Sequence, residues 1–306
     1  MARRKKSALQ QRMEYLLYRG VAALVRARSE ESVQRWGGRI GTLSRKVLRG
    51  RDRLAMRNLH AAFPGRDAGE LRRILNECWR HFGRETLAYV RLQDLPIEEI
   101  VALCDLENGE VLDQVQREGK GAIFITAHWG GWEIAALVTS ALVPGLHIVS
   151  RRLDNEYLER DLARGRSQTG AVMMDRRGAA RTMLKVLMQN GLVGILPDQA
   201  VQPREGILVP FLGRDAWTTP APAKIALRAG STIVFGFCIP VGTRYRLVFE
   251  EPIRVDKLTE EERDPVALTK RINDVISRWI TSRPELWLWM HDRWKGTGGS
   301  EVANGE

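Results

Sequence analysis

The sequence predicts an α/β fold: a single domain with a mostly parallel central sheet flanked by helices, preceded by an amphipathic N-terminal helix. Three observations predict it. Short, continuous apolar runs bounded by glycine or proline recur along the chain, helix-length stretches separate them, and an apolar stripe at helical spacing precedes them all. Strands buried on both faces have continuous apolar sequences, and their alternation with helices is typical of a parallel sheet.

The elements are predicted in chain order as follows. A helical pattern runs over residues 55–92 and breaks at residues 63–67, which include Pro64 and Gly65. The predicted strands are residues 122–126, 146–149, 192–196 and 232–238, with helices at 134–142 and 179–190. A turn at Gly242 leads from the last of these strands into another apolar run, which predicts a hairpin. We expect an N-terminal arm over residues 1–30, an α/β domain over 31–295 and a flexible tail over 296–306.

The composition is that of an ordinary folded protein. The chain has 306 residues, of which 44% are hydrophobic and 28% are charged, and this excludes disordered and low-complexity classes. Its three cysteines show no CxxC spacing. This pattern excludes a disulfide scaffold and a cysteine-based zinc site and fits a reducing compartment. We therefore expect neither a metal site nor a cofactor.

Basic charge is concentrated near the N-terminus, beside an apolar stripe. Residues 1–60 hold 16 Lys and Arg against 4 Asp and Glu, whereas the remainder is nearly neutral. Within residues 9–27 the stripe consists of Leu9, Met13, Leu16, Leu17, Gly20, Leu24 and Ala27, and Arg12, Arg19 and Arg26 flank it. Such a helix suits an anionic lipid headgroup layer. The alternative is that the stripe docks on the protein's own core.

The same region helps to assign the protein to a compartment. Charged residues interrupt every window long enough to span a bilayer, and no signal peptide follows the basic start. We expect a cytoplasmic protein that rests on a membrane without crossing it. A nucleic-acid partner is not expected, because the basic residues alternate with aliphatic side chains and form no known nucleic-acid motif.

The most informative stretch runs from the predicted strand at residues 122–126 through His128 and Gly130-Gly131 to Glu133. Ligands bind beyond the carboxyl ends of the strands in such sheets. Across a strand-to-helix turn, Glu133 can hold one ring nitrogen of His128 and leave the other as a general base. The glycine N–H groups can meet a phosphate or an oxyanion. The alternative is that His128 is a buried histidine without a catalytic role, whose ring is hydrogen-bonded to a neighbouring carboxylate at a packed turn.

Six segments in a fixed order carry a family resemblance. They are His128–Glu133, which has the pattern His, four residues, then acid; Asn58–Pro64; Ser150–Asn155; Arg166 with Gly170; Pro197-Asp198-Gln199 with Val209–Gly213; and Pro284–Lys295, rich in Trp and His. Over about 240 residues the sequence resembles the bacterial lipid A late acyltransferases, the lauroyl and myristoyl transferases of the lysophospholipid acyltransferase superfamily. The resemblance implies a fold like that of glycerol-3-phosphate acyltransferase.

The resemblance also implies a reaction. A fatty acyl group would pass from an acyl carrier protein thioester to a hydroxyl of a lipid A precursor, a glycolipid. His128 would act as the base and Glu133 would orient it, with no covalent enzyme intermediate. Arg151 and Arg166 are candidates for contacts with anionic groups of the substrates. Asp198 follows a predicted buried strand and therefore lies at the same edge of the sheet as His128. A ligand role and a turn role are both open for it.

Other functions stay open at this point. The acceptor could instead be a lysophospholipid, an amino-acid lipid or a mannosylated glycolipid, and the donor could be a coenzyme A thioester. A non-catalytic membrane-surface protein is the alternative from another class. Trp287, Trp289 and Trp294 are predicted to be core or membrane-interface residues, and His291 to be structural.

Overall fold

The computed structural model describes residues 7–150, 153–175 and 178–297. Its central sheet has seven strands in the order β1-β9-β8-β2-β5-β3-β4, and a separate two-stranded sheet pairs β6 with β7. The strands are β1 (Cys104–Glu107), β2 (Ala122–Ile125), β3 (His147–Ser150), β4 (Val172–Asp175), β5 (Leu192–Ile195), β6 (Ile207–Phe211), β7 (Arg214–Thr218), β8 (Thr232–Val241) and β9 (Arg244–Phe249). Within the seven-stranded sheet, β8 and β9 pair antiparallel and the other neighbours pair parallel. The predicted α/β class, the mostly parallel sheet and the hairpin at Gly242 are confirmed.

Helices surround this sheet. They are α1 (Ala8–Arg26), α2 (Glu30–Val47), α3 (Arg49–Ala62), α4 (Ala68–Leu92), α5 (Ile97–Ala102), α6 (Glu110–Glu118), α7 (Trp132–Leu142), α8 (Glu156–Ser167), α9 (Ala179–Met188), α10 (Ala221–Ala229) and α11 (Pro265–Ser282). The predicted break between α3 and α4 is present, and the side chain of Asp67 caps the first turn of α4. Along β2, Ile123 and Ile125 join one hydrophobic cluster while Ala122 and Phe124 join another. Both faces of the sheet are therefore covered, as expected for buried parallel strands.

The sequence did not predict β1, β4 or the β6–β7 pair. The edge strands β1 and β4 are four residues long. Side chains are exposed along most of β1 and at both ends of β4. Neither has the continuous apolar sequence that marks a strand buried on both faces. Edge strands need only one neighbour, so a tertiary partner rather than local sequence fixes them.

The apolar stripe of α1 faces outward. Leu9, Met13, Leu16, Leu17 and Leu24 are between 57% and 72% exposed, while the other face of the helix docks through Ala22 and Val25. Two of the flanking arginines pair with acids of the protein body: Arg26 with Asp94 at 2.7 Å and Arg19 with Asp161 at 3.6 Å. The helix therefore uses one face for docking and leaves the predicted stripe uncovered.

No described helix is both long enough and apolar enough to cross a bilayer. The predicted boundaries at residues 30 and 295 stay predictions. Residues 298–306 of the expected tail lie outside the described residues.

Candidate active site

His128 and Asp198 meet at the carboxyl edge of the sheet. His128 lies in the loop after β2, and Asp198 lies shortly after β5, the parallel neighbour of β2. Loops that follow neighbouring parallel strands lie side by side. Nδ1 of His128 is 2.9 Å from Oδ1 of Asp198, and the backbone N–H of His128 donates to Oδ2 of Asp198 at 2.9 Å. The carboxylate thus holds both the ring and the main chain of His128.

The expectation that Glu133 holds the ring nitrogen of His128 was wrong. Glu133 lies in the first turn of α7 and accepts two hydrogen bonds from Arg166 of α8, from Nη2 at 2.6 Å and from Nε at 3.2 Å. A guanidinium offers a carboxylate two parallel charge-assisted bonds, which a single ring nitrogen cannot match. Asp198 reaches the imidazole from the neighbouring strand and replaces Glu133 in that role.

Asp198 was a candidate for substrate binding, with a turn role as the alternative, and its position contradicts direct contact with substrate. The residue is 1% exposed, and its two oxygens already accept bonds from His128 and from Nε1 of Trp287 at 2.8 Å. The structure makes it a buried partner of His128. A signal for this was present in the sequence, because both residues follow buried strands and strand-end residues of neighbouring loops can meet.

The hydrogen bonds indicate the tautomer of the neutral imidazole. An ionised Asp198 accepts from Nδ1–H, so Nε2 carries the lone pair. The side-chain amide of Gln199 lies 3.3 Å from this Nε2 and can donate to it. The side chain of His128 is 23% exposed. Nε2 is therefore the ring atom that can accept a proton, and Gln199 is its polar neighbour.

The electrostatics of this pair are set by burial and by carboxylates. Burial opposes the charged imidazolium, but the charge and hydrogen bond of Asp198, with a further contribution from Glu133, outweigh it and raise the pKa of His128. Burial likewise opposes ionisation of Asp198, but His128 and the donors around the carboxylate outweigh it and lower the pKa of Asp198. A buried carboxylate that stays ionised and a histidine made more basic form the arrangement of a general base.

The glycine pair forms the turn between β2 and α7. Gly130 has φ +58°, and a Cβ there would lie 2.0 Å from the carbonyl oxygen of Cys238. Its N–H donates to Leu286 O, and the N–H of Gly131 donates to Cys238 O, both at 2.9 Å. The expectation that these two N–H groups meet a phosphate or an oxyanion was wrong, because protein carbonyls already accept from them. The turn instead requires glycine for close backbone approach.

The arginines predicted to contact anionic substrate groups have different outcomes. Arg166 is mostly buried, and its guanidinium is occupied by Glu133, so it neutralises a carboxylate of the protein rather than a substrate group. The physical reason is the two-point fit between guanidinium and carboxylate. Arg151 lies outside the described residues.

The segment after α11 is hydrogen-bonded to both the loop of His128 and the loop of Asp198. Leu288 N donates to His128 O at 3.0 Å, Trp287 Nε1 donates to Asp198, and Ala200 N donates to Nε2 of His291 at 3.0 Å. Asn58 of α3 donates to two carbonyls of the same segment, those of residues 289 and 291. Sequence reasoning assigned these tryptophans and the histidine to core or structural positions and missed their hydrogen bonds to both loops. A buried indole needs a partner for its N–H, which is the signal that was available.

An apolar cavity of about 310 Å³ adjoins the catalytic turn. It lies between α1, α4, α7 and α8, and its apolar walls include Tyr18, Tyr89, Val90, Trp132, Ile134, Leu153, Leu158 and Leu162. Gly130, Gly131 and Glu133 also line it. The ring of Trp132 lies 5.6 Å from that of His128, which places the cavity beside the base. The hydroxyl of Tyr18 donates to Gln93 at 2.9 Å across this cavity wall.

A second, larger cleft of about 860 Å³ is rich in arginine. It lies between α2, α4 and the β8–β9 turn, and its lining includes Arg35, Arg39, Arg73, Arg80, Arg84 and Arg283. Glu77 pairs with Arg80 at 3.4 Å, and Arg283 pairs with Glu285 at 3.0 Å. Leu286 lines the cleft as well and accepts from Gly130, so the cleft is adjacent to the catalytic turn. Sequence reasoning missed these arginines because α2 and α4 converge only in the fold.

The described residues contain no cluster of three or more His, Cys, Asp or Glu side chains suited to a metal ion. All three cysteines are buried. Burial raises the pKa of Cys78 to about 12, so it is a core thiol and not a thiolate nucleophile at neutral pH.

A family model for the bacterial lipid A biosynthesis acyltransferases matches residues 1–296. The chain belongs to this family. The family resemblance expected from the sequence is confirmed, and acyl transfer is the chemistry that the family shares by name.

Relatives of this lipid A acyltransferase family member differ in acceptor. The chain is 25% identical to the lipid A biosynthesis lauroyltransferase of Escherichia coli over 86% of this chain and 85% of that protein. It is 24% identical to a phosphatidylinositol mannoside acyltransferase of Mycolicibacterium smegmatis over 58% and 57% of the two chains. Among solved structures, the lysophosphatidic acid acyltransferase PlsC of Thermotoga maritima matches with a TM-score of 0.39 and 15% identity, covering 78% of this chain and 98% of that one.

Proposed function

We propose that this protein transfers a fatty acyl group from an acyl carrier protein thioester to a hydroxyl of a lipid A precursor, at the cytoplasmic face of the bacterial inner membrane. The observation that carries the proposal is the geometry of His128. Its Nδ1–H is held by a buried carboxylate, its Nε2 carries the lone pair, and an apolar cavity adjoins it. This is the arrangement that a base needs to activate a hydroxyl beside an acyl chain.

In this mechanism Nε2 of His128 takes the proton of the acceptor hydroxyl as its oxygen attacks the thioester carbonyl carbon. The tetrahedral intermediate collapses with cleavage of the carbon–sulfur bond, and the imidazolium returns the proton to the leaving thiolate. Asp198 keeps the ring in the required tautomer and stabilises the imidazolium. Glu133 adds negative potential at the ring while its carboxylate stays paired with Arg166. No bond forms between the protein and the acyl group.

The two cavities support the choice of substrates. The apolar cavity offers mostly hydrocarbon and aromatic walls, which suit an acyl chain. The arginine-rich cleft next to the catalytic turn suits the phosphate groups of a glycolipid acceptor, because guanidinium binds phosphate through two hydrogen bonds.

The exposed apolar stripe of α1 supports the membrane location. Five aliphatic side chains along one face remain more than half exposed after the helix has docked. An uncovered stripe of this kind, preceded by basic residues, fits the interface of an anionic bilayer.

A second acceptor is favoured by one relative. The similarity to a phosphatidylinositol mannoside acyltransferase supports the mannosylated glycolipid that the sequence left open. Both acceptors are anionic glycolipids, so the arginine-rich cleft suits either one.

The test is acyl transfer by the purified protein. Labelled acyl carrier protein and acyl coenzyme A serve as donors, and a Kdo-lipid A precursor, a phosphatidylinositol mannoside and lysophosphatidic acid serve as acceptors. We expect transfer from acyl carrier protein to the lipid A precursor, read as a mass gain. His128→Ala should lower the rate by about 10²–10⁴-fold.

The matched control is His60→Ala on α3, which removes an exposed histidine and should keep the wild-type rate. Transfer to another acceptor alone would overturn the lipid A assignment and keep the chemistry. Equal rates in wild type and His128→Ala would overturn the base assignment, and no transfer with any pair would favour a non-catalytic role.

A further inference from the structure

The indole of Trp287 is a donor to the catalytic carboxylate. Nε1 of Trp287 donates to Oδ2 of Asp198 at 2.8 Å, and the tryptophan is 1% exposed. Oδ1 of the same carboxylate faces the ring of His128 at 2.9 Å. The carboxylate is thus held at both oxygens: the imidazole bonds to Oδ1, and the indole and the backbone N–H of His128 both donate to Oδ2.

This second donor has a geometric consequence for the carboxylate. Both contacts from His128, its ring at Oδ1 and its backbone N–H at Oδ2, come from one loop, so without another donor that loop alone would hold the carboxylate. The indole N–H comes from a different part of the chain, and it anchors Oδ2 so that Oδ1 stays directed at Nδ1. Such outer hydrogen bonds set the orientation of the group that contacts the reacting atoms.

Trp287 is itself fixed in place. Its ring lies edge-on to Trp289 with centroids 4.6 Å apart, and it packs against Phe211 at 5.6 Å. Its backbone forms a β-bridge with Trp129, the residue that follows the base, and its carbonyl accepts from Sγ of Cys78 at 3.2 Å. The donor therefore belongs to a rigid segment that is joined to the loop of His128.

Three other ionisable side chains act on Asp198 or on His128, each from a different part of the chain. Glu133 on α7 acts on His128 by its charge. His291 accepts from Ala200 N through Nε2, and burial lowers its pKa, so it is neutral. Arg293 is fully buried and donates to Thr218 Oγ1 at 2.6 Å. None of these three is hydrogen-bonded to Asp198 within the described residues, so Trp287 is the donor from outside the His128 loop.

We propose that Trp287 is a positioning residue for acyl transfer, whose indole N–H fixes the carboxylate of Asp198 so that Nε2 of His128 stays unprotonated and aimed at the acceptor hydroxyl. This inference rests on the proposed function for its catalytic consequence. The effect on the imidazole is a property of the folded protein and can be measured without turnover.

The experiment compares Trp287→Phe with Trp79→Phe in the full chain. Both variants lose a buried indole that donates to a carboxylate, but Nε1 of Trp79 donates to Asp52 at 2.9 Å and not to Asp198. Two readouts are taken: the pKa of His128 by NMR of the imidazole, and the pH dependence of kcat/KM. A variant with the sulfur isostere of tryptophan, benzothienylalanine, at position 287 removes the N–H with little change of shape.

The sign of the expected shift follows from the charge on Asp198. Without the indole donor the carboxylate is less stabilised and attracts the imidazolium more strongly, so the pKa of His128 rises. A base must be unprotonated, so the acid limb of the pH profile of kcat/KM moves to higher pH, by about half a pH unit. Trp287→Phe should also lower kcat about 10-fold with little change in KM. Asp198→Asn should move the same limb to lower pH, because the charge is gone.

Trp79→Phe should leave the pKa of His128 and the acid limb of the pH profile at the wild-type values. Equal values of this pKa in wild type, Trp287→Phe and the isostere variant would overturn the proposal. So would equal shifts in Trp287→Phe and Trp79→Phe. If the wild type transfers no acyl group, the proposed function fails, while the NMR titration still decides whether Trp287 positions the pair.

Discussion

Among individual residues, the partner of each charged side chain decides its role. Glu133 stands in the family pattern with His128, yet its carboxylate is taken by Arg166. Asp198 comes from a loop about 70 residues later in the chain, and it holds the imidazole. The two carboxylates therefore have separate roles: one binds the ring and the other acts through its charge.

Asp198→Asn should reduce stability more at low pH than at high pH. The folded-state pKa of His128 is raised above the unfolded value of about 6.5, so its stabilisation is fully present below that value. The stabilisation is lost as pH rises through the folded-state pKa. Urea unfolding of wild type and variant should give a larger difference in unfolding free energy at about pH 5.5 than at about pH 8.5.

Glu133→Gln is the control for this measurement. It removes a carboxylate that acts on His128 only by its charge, so the pH dependence of its difference from wild type should be weaker. A difference for Asp198→Asn that does not change with pH would contradict the coupling of the two residues.

Among the turns and helices, the Gly130 turn sets the direction of the catalytic loop. Its positive φ and its contact with Cys238 O allow only glycine, and its N–H bond to Leu286 O joins the loop to the segment after α11. The turn thereby places His128 beside the Asp198 loop.

Gly130→Ala should destabilise the protein more than Gly119→Ala. Gly119 has φ +67° with open space around its Cβ position, so alanine there costs only the left-handed backbone strain of about 1–2 kcal/mol. At Gly130 the clash with a backbone carbonyl adds roughly 1–3 kcal/mol. Thermal and urea unfolding of the two variants measure the difference. Equal losses would show that the loop relaxes around the new methyl group.

The outer face of α1 gives a prediction for membrane binding. Leu16→Gln with Leu17→Gln changes side chains that are 60% and 72% exposed, so folding stability should stay near the wild-type value. Binding to anionic vesicles should fall at least about 10-fold, because burying one leucine contributes about 1.5–3 kcal/mol. Vesicle sedimentation measures this. Met188→Gln, which changes a residue 79% exposed on α9, is the control and should bind like the wild type.

Across the protein, the two cavities lie along successive stretches of α4 and meet at Glu85. Glu85 lines both of them, and Gly130 or its partner Leu286 lines each. An apolar cavity and a basic cleft therefore approach the same catalytic turn from different directions. This division fits a reaction that joins an acyl chain to an anionic acceptor.

Arg39→Gln with Arg73→Gln should raise KM for a phosphorylated acceptor about 10-fold and leave kcat near wild type. Both arginines are exposed and line the cleft, so the loss should be greatest at low salt. Steady-state kinetics with phosphorylated and dephosphorylated acceptors measure it. Arg271→Gln on α11 is the control, since Arg271 pairs with Glu262 at 3.1 Å. An unchanged KM would exclude the cleft as the site of the acceptor phosphates.

Much of the fold follows from local patterns. Continuous apolar runs predicted β2, β3, β5 and β8, and a Pro64-Gly65 break predicted the division between α3 and α4. These patterns suffice because a strand that is buried on both faces consists of continuous apolar residues, which the sequence shows directly. The edge strand β4 has no such apolar run, since several of its side chains are exposed to solvent and it pairs with β3 alone among the described strands.

The sequence alone determines the class of fold, and it selects His128 as the candidate base on a glycine turn, because each depends on residues near one another in the chain. Which carboxylate holds His128 is decided only in the tertiary structure, where the parallel pairing of β2 with β5 brings Asp198 beside it. The same holds for the donor Trp287 and for the arginine-rich cleft. Hydrogen bonds and charges act through distances in space, and those distances exist only once distant segments have packed together.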